Sequence, residues 1–84
     1  MNFRKEINDM VYDQPREDVV NMYNYTHSLY DRLRNNPNDR NWILGYIDEQ
    51  TIPAGCSYLK KTMKFLSRKI SWIDRRAELD KVSV

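Results

Sequence analysis

Tyr58, Phe65, Trp72 and Leu79 recur at intervals of seven, and the residues that flank them are mostly cationic. On a helix that turns about 100° per residue these four form one ridge of large apolar groups. Lys61, Arg68 and Arg75 fall on one side of it; Thr62, Lys69 and Arg76 fall on the other. The chemistry open to such a surface is recognition. Aromatic faces stack on bases or hold cations, and guanidinium groups clamp phosphates and carboxylates. Tyr58, Lys61, Phe65, Arg68, Lys69 and Trp72 are therefore the candidate ligand-binding residues. Three roles stay open for the ridge: cover by the rest of the chain with lysine and arginine stems over its edges, a self-association surface with a charged rim, or an anion site.

Residues that would carry a reaction are not arranged to do so. There is no glycine-rich phosphate loop, Cys-x-x-Cys, His-Glu-x-x-His or nucleophile elbow. Asp48-Glu49 is an adjacent acid pair that points two ways from a short predicted helix, unsuited to two-carboxylate catalysis. His27, between Thr26 and Ser28, has no visible orienting partner and reads as a partly exposed structural histidine. Cys56 follows Gly55 near a predicted helix start, where a thiol pKa can fall, but reads as a semi-buried structural thiol. A non-enzymatic protein with no catalytic residue, metal or cofactor is expected.

The elements that must hold the ridge are all helical. Leu59, Met63, Leu66, Ile70, Ile73 and Ala77 step by four and three, the spacing of a helix–helix seam, on a helix from about 54 to 79. Val19, Met22, Thr26, Leu29 and Leu33 repeat the pattern on a helix from about 15 to 34. Asp13 is its expected cap, with Pro15 in the first turn and acids near the positive end of the dipole. Asn35-Asn36-Pro37-Asn38-Asp39 breaks the chain. Asn38 or Asp39 then caps a short helix through Trp42, Ile43, Tyr46 and Ile47, predicted to end near Ile52 because Pro53 follows. Phe3, Ile7 and Met10 mark a short N-terminal helix or arm. The expected fold is all-α, a helical hairpin or small bundle, with residues 1–84 one domain and the two longer helices an antiparallel pair.

Charge is split along the chain. Residues 1–55 hold six Lys/Arg against nine Asp/Glu, and residues 56–84 hold eight against three. A basic helix of this kind meets an anionic ligand or an acidic surface. Duplex DNA fits poorly: the net charge is only +2 and the basic helix carries the longest apolar seam rather than a polar reading face. No stretch is apolar enough to span a membrane and no secretory signal is visible, which with a lone cysteine points to the cytoplasm. An 84-residue chain whose single cysteine excludes an intrachain disulfide is expected to gain stability as a homo-oligomer.

Residues 15–73, and Leu59-Lys60-Lys61-Thr62-Met63-Lys64-Phe65 within them, resemble the helical hairpin of phage proteins that sequester cyclic oligonucleotide signals. Phe65 stands where that family tends to show tryptophan, and two lysines replace residues that are often acidic. The resemblance implies anti-defence by sequestration in an infected bacterial cell, with an anionic nucleotide held at the subunit junctions of an oligomer. Ile52-Pro53 before a long helix is also similar to the small basic bundles that give immunity to bacteriocins. The alternative is a protein–protein antagonist, in the manner of an anti-CRISPR or host-takeover inhibitor, that presents the basic helix to a host protein.

Overall fold

The computed structural model describes Phe3 and residues 5–7 and 14–82. It is all-α: α1 is Arg16–Asn35, α2 is Arg40–Tyr46 and α3 is Ile52–Val82. Phe3 and residues 5–7 are also helical. α1 and α3 form the main pair and run antiparallel, with Arg16 beside Asp74 at one end and Leu33 against Gly55 at the other.

The seam forms over much of its predicted length, with Met22, Met63, Ile70 and Ile73 half-buried at its margins. Val19, Leu29 and Leu33 of α1 and Leu59 and Leu66 of α3 are buried, together with Ile43 and Ile47 and, from the N-terminal segment, Phe3 and Ile7. Each such side chain contributes roughly 1.5–3 kcal/mol of burial. Thr26 and Thr62 are buried among them, and each hydroxyl donates to the carbonyl four residues back, of Met22 at 2.8 Å and Tyr58 at 2.9 Å. Those bonds satisfy polar groups that burial would otherwise leave unmet. Thr62 thus faces the core, not the flank of the ridge. Ala77 lies exposed on α3 instead of in the seam. Gly55 marks the closest approach: a Cβ there would sit 2.7 Å from Leu44 Cδ2 and 2.9 Å from Leu33 Cδ2.

Two boundaries differ from expectation. α2 ends at Tyr46, six residues earlier than the proline suggests. It closes with Glu49 N–H donating to Leu44 O at 2.9 Å and Asp48 N–H to Gly45 O at 3.3 Å, while Asp48 takes the left-handed φ of 62°. This is a Schellman-type end with an aspartate where glycine is usual. Asp48 and Glu49 therefore lie in a turn, not on a helix. α3 begins at Ile52, with Pro53 inside its first turn, because Thr51 Oγ1 accepts from Ala54 N–H at 3.2 Å. A proline this early lacks only an N–H that had no helical partner.

Pro15 is the N-cap residue of α1 and makes no side-chain cap bond; Asp13 and Met10 lie outside the described residues. Asp39 precedes α2 but makes no side-chain cap bond either. Its carboxylate is taken by Trp42 Nε1 at 3.0 Å and Arg32 Nε at 3.0 Å.

Candidate functional site

The α3 ridge begins under cover and then emerges. Tyr58 is half-buried, its ring edge-on to Phe3 at 6.0 Å. Phe65, Trp72 and Leu79 are 41%, 51% and 60% exposed. From Phe65 to Leu79 the exposed part covers fourteen residue steps, about 21 Å at 1.5 Å per residue. The cause lies in the antiparallel pairing. α1 packs on the Leu59–Leu66 stripe, and from the N-terminal segment Phe3 packs on the first position of the ridge, Tyr58.

Around Trp72 the cations are gathered. Lys69 Nζ lies 4.5 Å and Arg76 Cζ 5.4 Å from the centre of the ring, so both hold to its negative faces. Ser67, Arg68, Ser71, Trp72 and Arg75 line a shallow groove of about 280 Å³ along the helix. Among the described residues, Lys61, Lys64, Arg68 and Arg75 form no ion pair. Asp74, the one acid between Tyr58 and Arg76, is turned away to Arg16, whose Nε lies 2.6 Å from its Oδ1. That hydrogen bond and the carboxylate charge raise the Arg16 pKa further. The result is a convex apolar strip with unneutralised cations on both edges.

The six sequence candidates are therefore only partly brought together. Phe65, Arg68, Lys69 and Trp72 share the exposed face. Lys61 is exposed one to two turns away, and Tyr58 belongs to the covered end. Ser67 and Ser71 join the groove without having been singled out. Their spacing of four beside Arg68 and Arg75 was the available signal, and small polar residues on a basic helix are too common to stand out. The stretch that carries the family resemblance divides likewise. Leu59 and Thr62 are buried, Lys60 Nζ lies over the Tyr30 ring at 5.7 Å, and Lys61, Lys64 and Phe65 face outward.

A second aromatic cluster sits over α2. Tyr46 contacts Phe3 at 5.4 Å, Tyr25 at 6.4 Å and Trp42 at 6.4 Å. Its hydroxyl donates to Glu6 Oε2 at 3.2 Å. Burial, then Tyr25, then Glu6 raise the Tyr46 phenol pKa. Trp42 is fixed by its bond to Asp39 and by Arg32, whose Cζ lies 4.9 Å from the ring centre. These are tertiary clamps between α1, α2 and the N-terminal segment.

The residues considered for catalysis stay apart. His27 Nδ1 lies 3.3 Å from Asp31 Oδ2 on the exposed face of α1, with its ring stacked on Tyr23 at 6.4 Å. Cys56 is half-buried against the core. No group of three or more His, Cys, Asp or Glu among the described residues is placed to hold a metal ion. No described helix is long and apolar enough to cross a membrane.

Fold and surface together define a small all-α bundle with one long, exposed basic–aromatic helix face. No family model, no curated protein and no solved structure matches this chain.

Proposed function

We propose that this chain is a non-enzymatic binding protein that acts by occupancy, presenting the exposed face of α3 to an acidic partner protein. One observation carries the reading: Phe65 and Trp72 stand exposed among cations that form no ion pair among the described residues. An isolated apolar side chain on a surface means little, whereas three large apolar groups in line with a charged rim have the anatomy of an interface. The strip is long and convex, which suits a macromolecular surface better than a small ligand. A protein–protein antagonist, the alternative to the sequestration that the phage resemblance implies, needs no more than such occupancy.

Titration with poly-glutamate tests the electrostatic half. Binding is expected at low salt, weakening as salt rises, because exposed charges act over roughly 8–10 Å at physiological ionic strength. Charge reversal at Arg68 and Lys69 together should abolish it. Binding that survives the double reversal would reduce the basic face to a solvated one.

A specific feature favours a second reading, sequestration of an anionic cyclic nucleotide. The groove between Arg68 and Arg75 places two serine hydroxyls, two guanidinium groups and an indole within one stretch of helix, a set that can meet a phosphate and a base. On this reading a cyclic dinucleotide or trinucleotide raises the melting temperature and is recovered unaltered after denaturation.

A further inference from the structure

We infer that the partner presents an acidic amphipathic helix, laid along Phe65, Trp72 and Leu79 as a continuation of the path that the chain's own N-terminal segment begins. The inference rests on the proposed protein-binding role of α3 and names what the partner brings. Its first support is continuity. Tyr58 is the first member of the ridge, and it is covered by a helical segment whose Phe3 and Ile7, four residues apart, are buried 1% and 7% exposed. A helical segment thus already sets an aromatic side chain, Phe3, against the first member of this face. The remaining members repeat every seven residues, the spacing that a helix with anchors at i, i+3, i+4 and i+7 can follow.

Charge supplies the second support and decides between occupants. A second copy laid face to face on α3 would bring Lys61, Arg68, Lys69, Arg75 and Arg76 against their own kind. From Phe65 to Leu79 the acids are Asp74, which is held by Arg16, and Glu78, against the four cations Arg68, Lys69, Arg75 and Arg76. Like charges at a rim oppose association and acids opposite them favour it. The occupant this face fits is therefore not itself but a helix with glutamates or aspartates flanking an apolar stripe. The covered end already has this flavour: Glu6, on the docked segment, accepts from Tyr46.

Trp72 reports the event once Trp42, the other tryptophan, is replaced. In a Trp42→Phe background, checked for helicity by circular dichroism, a synthetic peptide with leucines at i, i+3, i+4 and i+7 and glutamates elsewhere is titrated. A peptide with the same leucines among lysines, a single-stranded oligonucleotide and phosphatidylglycerol vesicles are titrated in parallel. The expected result is a blue shift of Trp72 emission with the glutamate peptide alone, weakened at least about tenfold by joint Arg68→Glu and Lys69→Glu replacement. Equal binding of the lysine peptide would overturn the inference, since charge would then not select the occupant. Tighter binding of the oligonucleotide or the vesicles than of the glutamate peptide would overturn it too, while leaving a basic recognition face in place. Binding of none of the anionic probes, poly-glutamate included, would sink both the inference and the protein-binding role beneath it.

Discussion

Asp39 shows how one side chain can be claimed by tertiary structure rather than by the local rule that predicts its place. An aspartate before a short helix should cap it, yet its two oxygens bond Trp42 and Arg32 instead. The hydrogen bond from Trp42, then that from Arg32, hold its pKa below the ordinary value. For a carboxylate depressed in the folded state, the stabilising contribution is present above its unfolded pKa, about 3.9. It is lost as pH falls through the lower folded value. Acidification below that range should therefore loosen α2 before the α1–α3 seam, with Trp42 emission shifting while helicity persists. In Asp39→Asn the acid-dependent part of that shift should vanish. An unchanged acid profile in Asp39→Asn would assign the effect to another group.

At the scale of elements, the long helices were legible because their stripes are long. Leu29, Leu33, Leu59 and Leu66 are buried as their spacing requires, and no competing period exists. The α2–α3 junction was not legible, for a physical reason. Pro53 carries two opposite messages, a stop for a helix before it and a tolerated first turn for a helix after it. Thr51, whose hydroxyl caps Ala54, decides between them, but a threonine is common in either setting. The left-handed Asp48 hid the other boundary, because the residue expected at such a helix end is glycine. Of the site, the ridge itself was visible as a period of seven. That Phe3 packs on Tyr58 was not, since it depends on how the N-terminal segment folds back. The Thr51 cap has a measurable consequence. Thr51→Ala should cost about 1 kcal/mol, a fall in melting temperature of about 4–8 °C for a domain of this size. Thr51→Ser, which keeps the acceptor, should recover most of it. Equal losses in both variants would mean that the threonine methyl, not the cap, matters.

The whole molecule is elongated, 53 × 23 × 17 Å with a Cα radius of gyration of 14.9 Å, against about 12 Å for a compact domain of this length. α3 accounts for the difference: Arg16, the first residue of α1, meets α3 at Asp74, and α3 continues to Val82. So open a shape leaves a thin core, and at about 0.05–0.15 kcal/mol per residue the total stability is only about 4–12 kcal/mol. The N-terminal segment then weighs heavily. Phe3 is 1% exposed and touches Tyr46 and Tyr58, which joins α2 to α3 through one ring. Truncating a buried phenylalanine to alanine costs about 3–5 kcal/mol through lost burial and the cavity left behind. Phe3→Ala should consequently remove a large share of the stability and sharply lower the midpoint of urea unfolding. Phe65→Ala, on the exposed part of the same ridge, should change stability by about 1 kcal/mol or less. The pair separates the two uses of one helix face, because the first substitution attacks the fold and the second only the surface offered to a partner. If Phe3→Ala unfolds at the same urea concentration as the parent chain, the N-terminal segment is a detachable cover whose loss merely lengthens the exposed ridge. If Phe65→Ala proves as damaging as Phe3→Ala, the ridge is part of the core, and the docking surface proposed for it is gone.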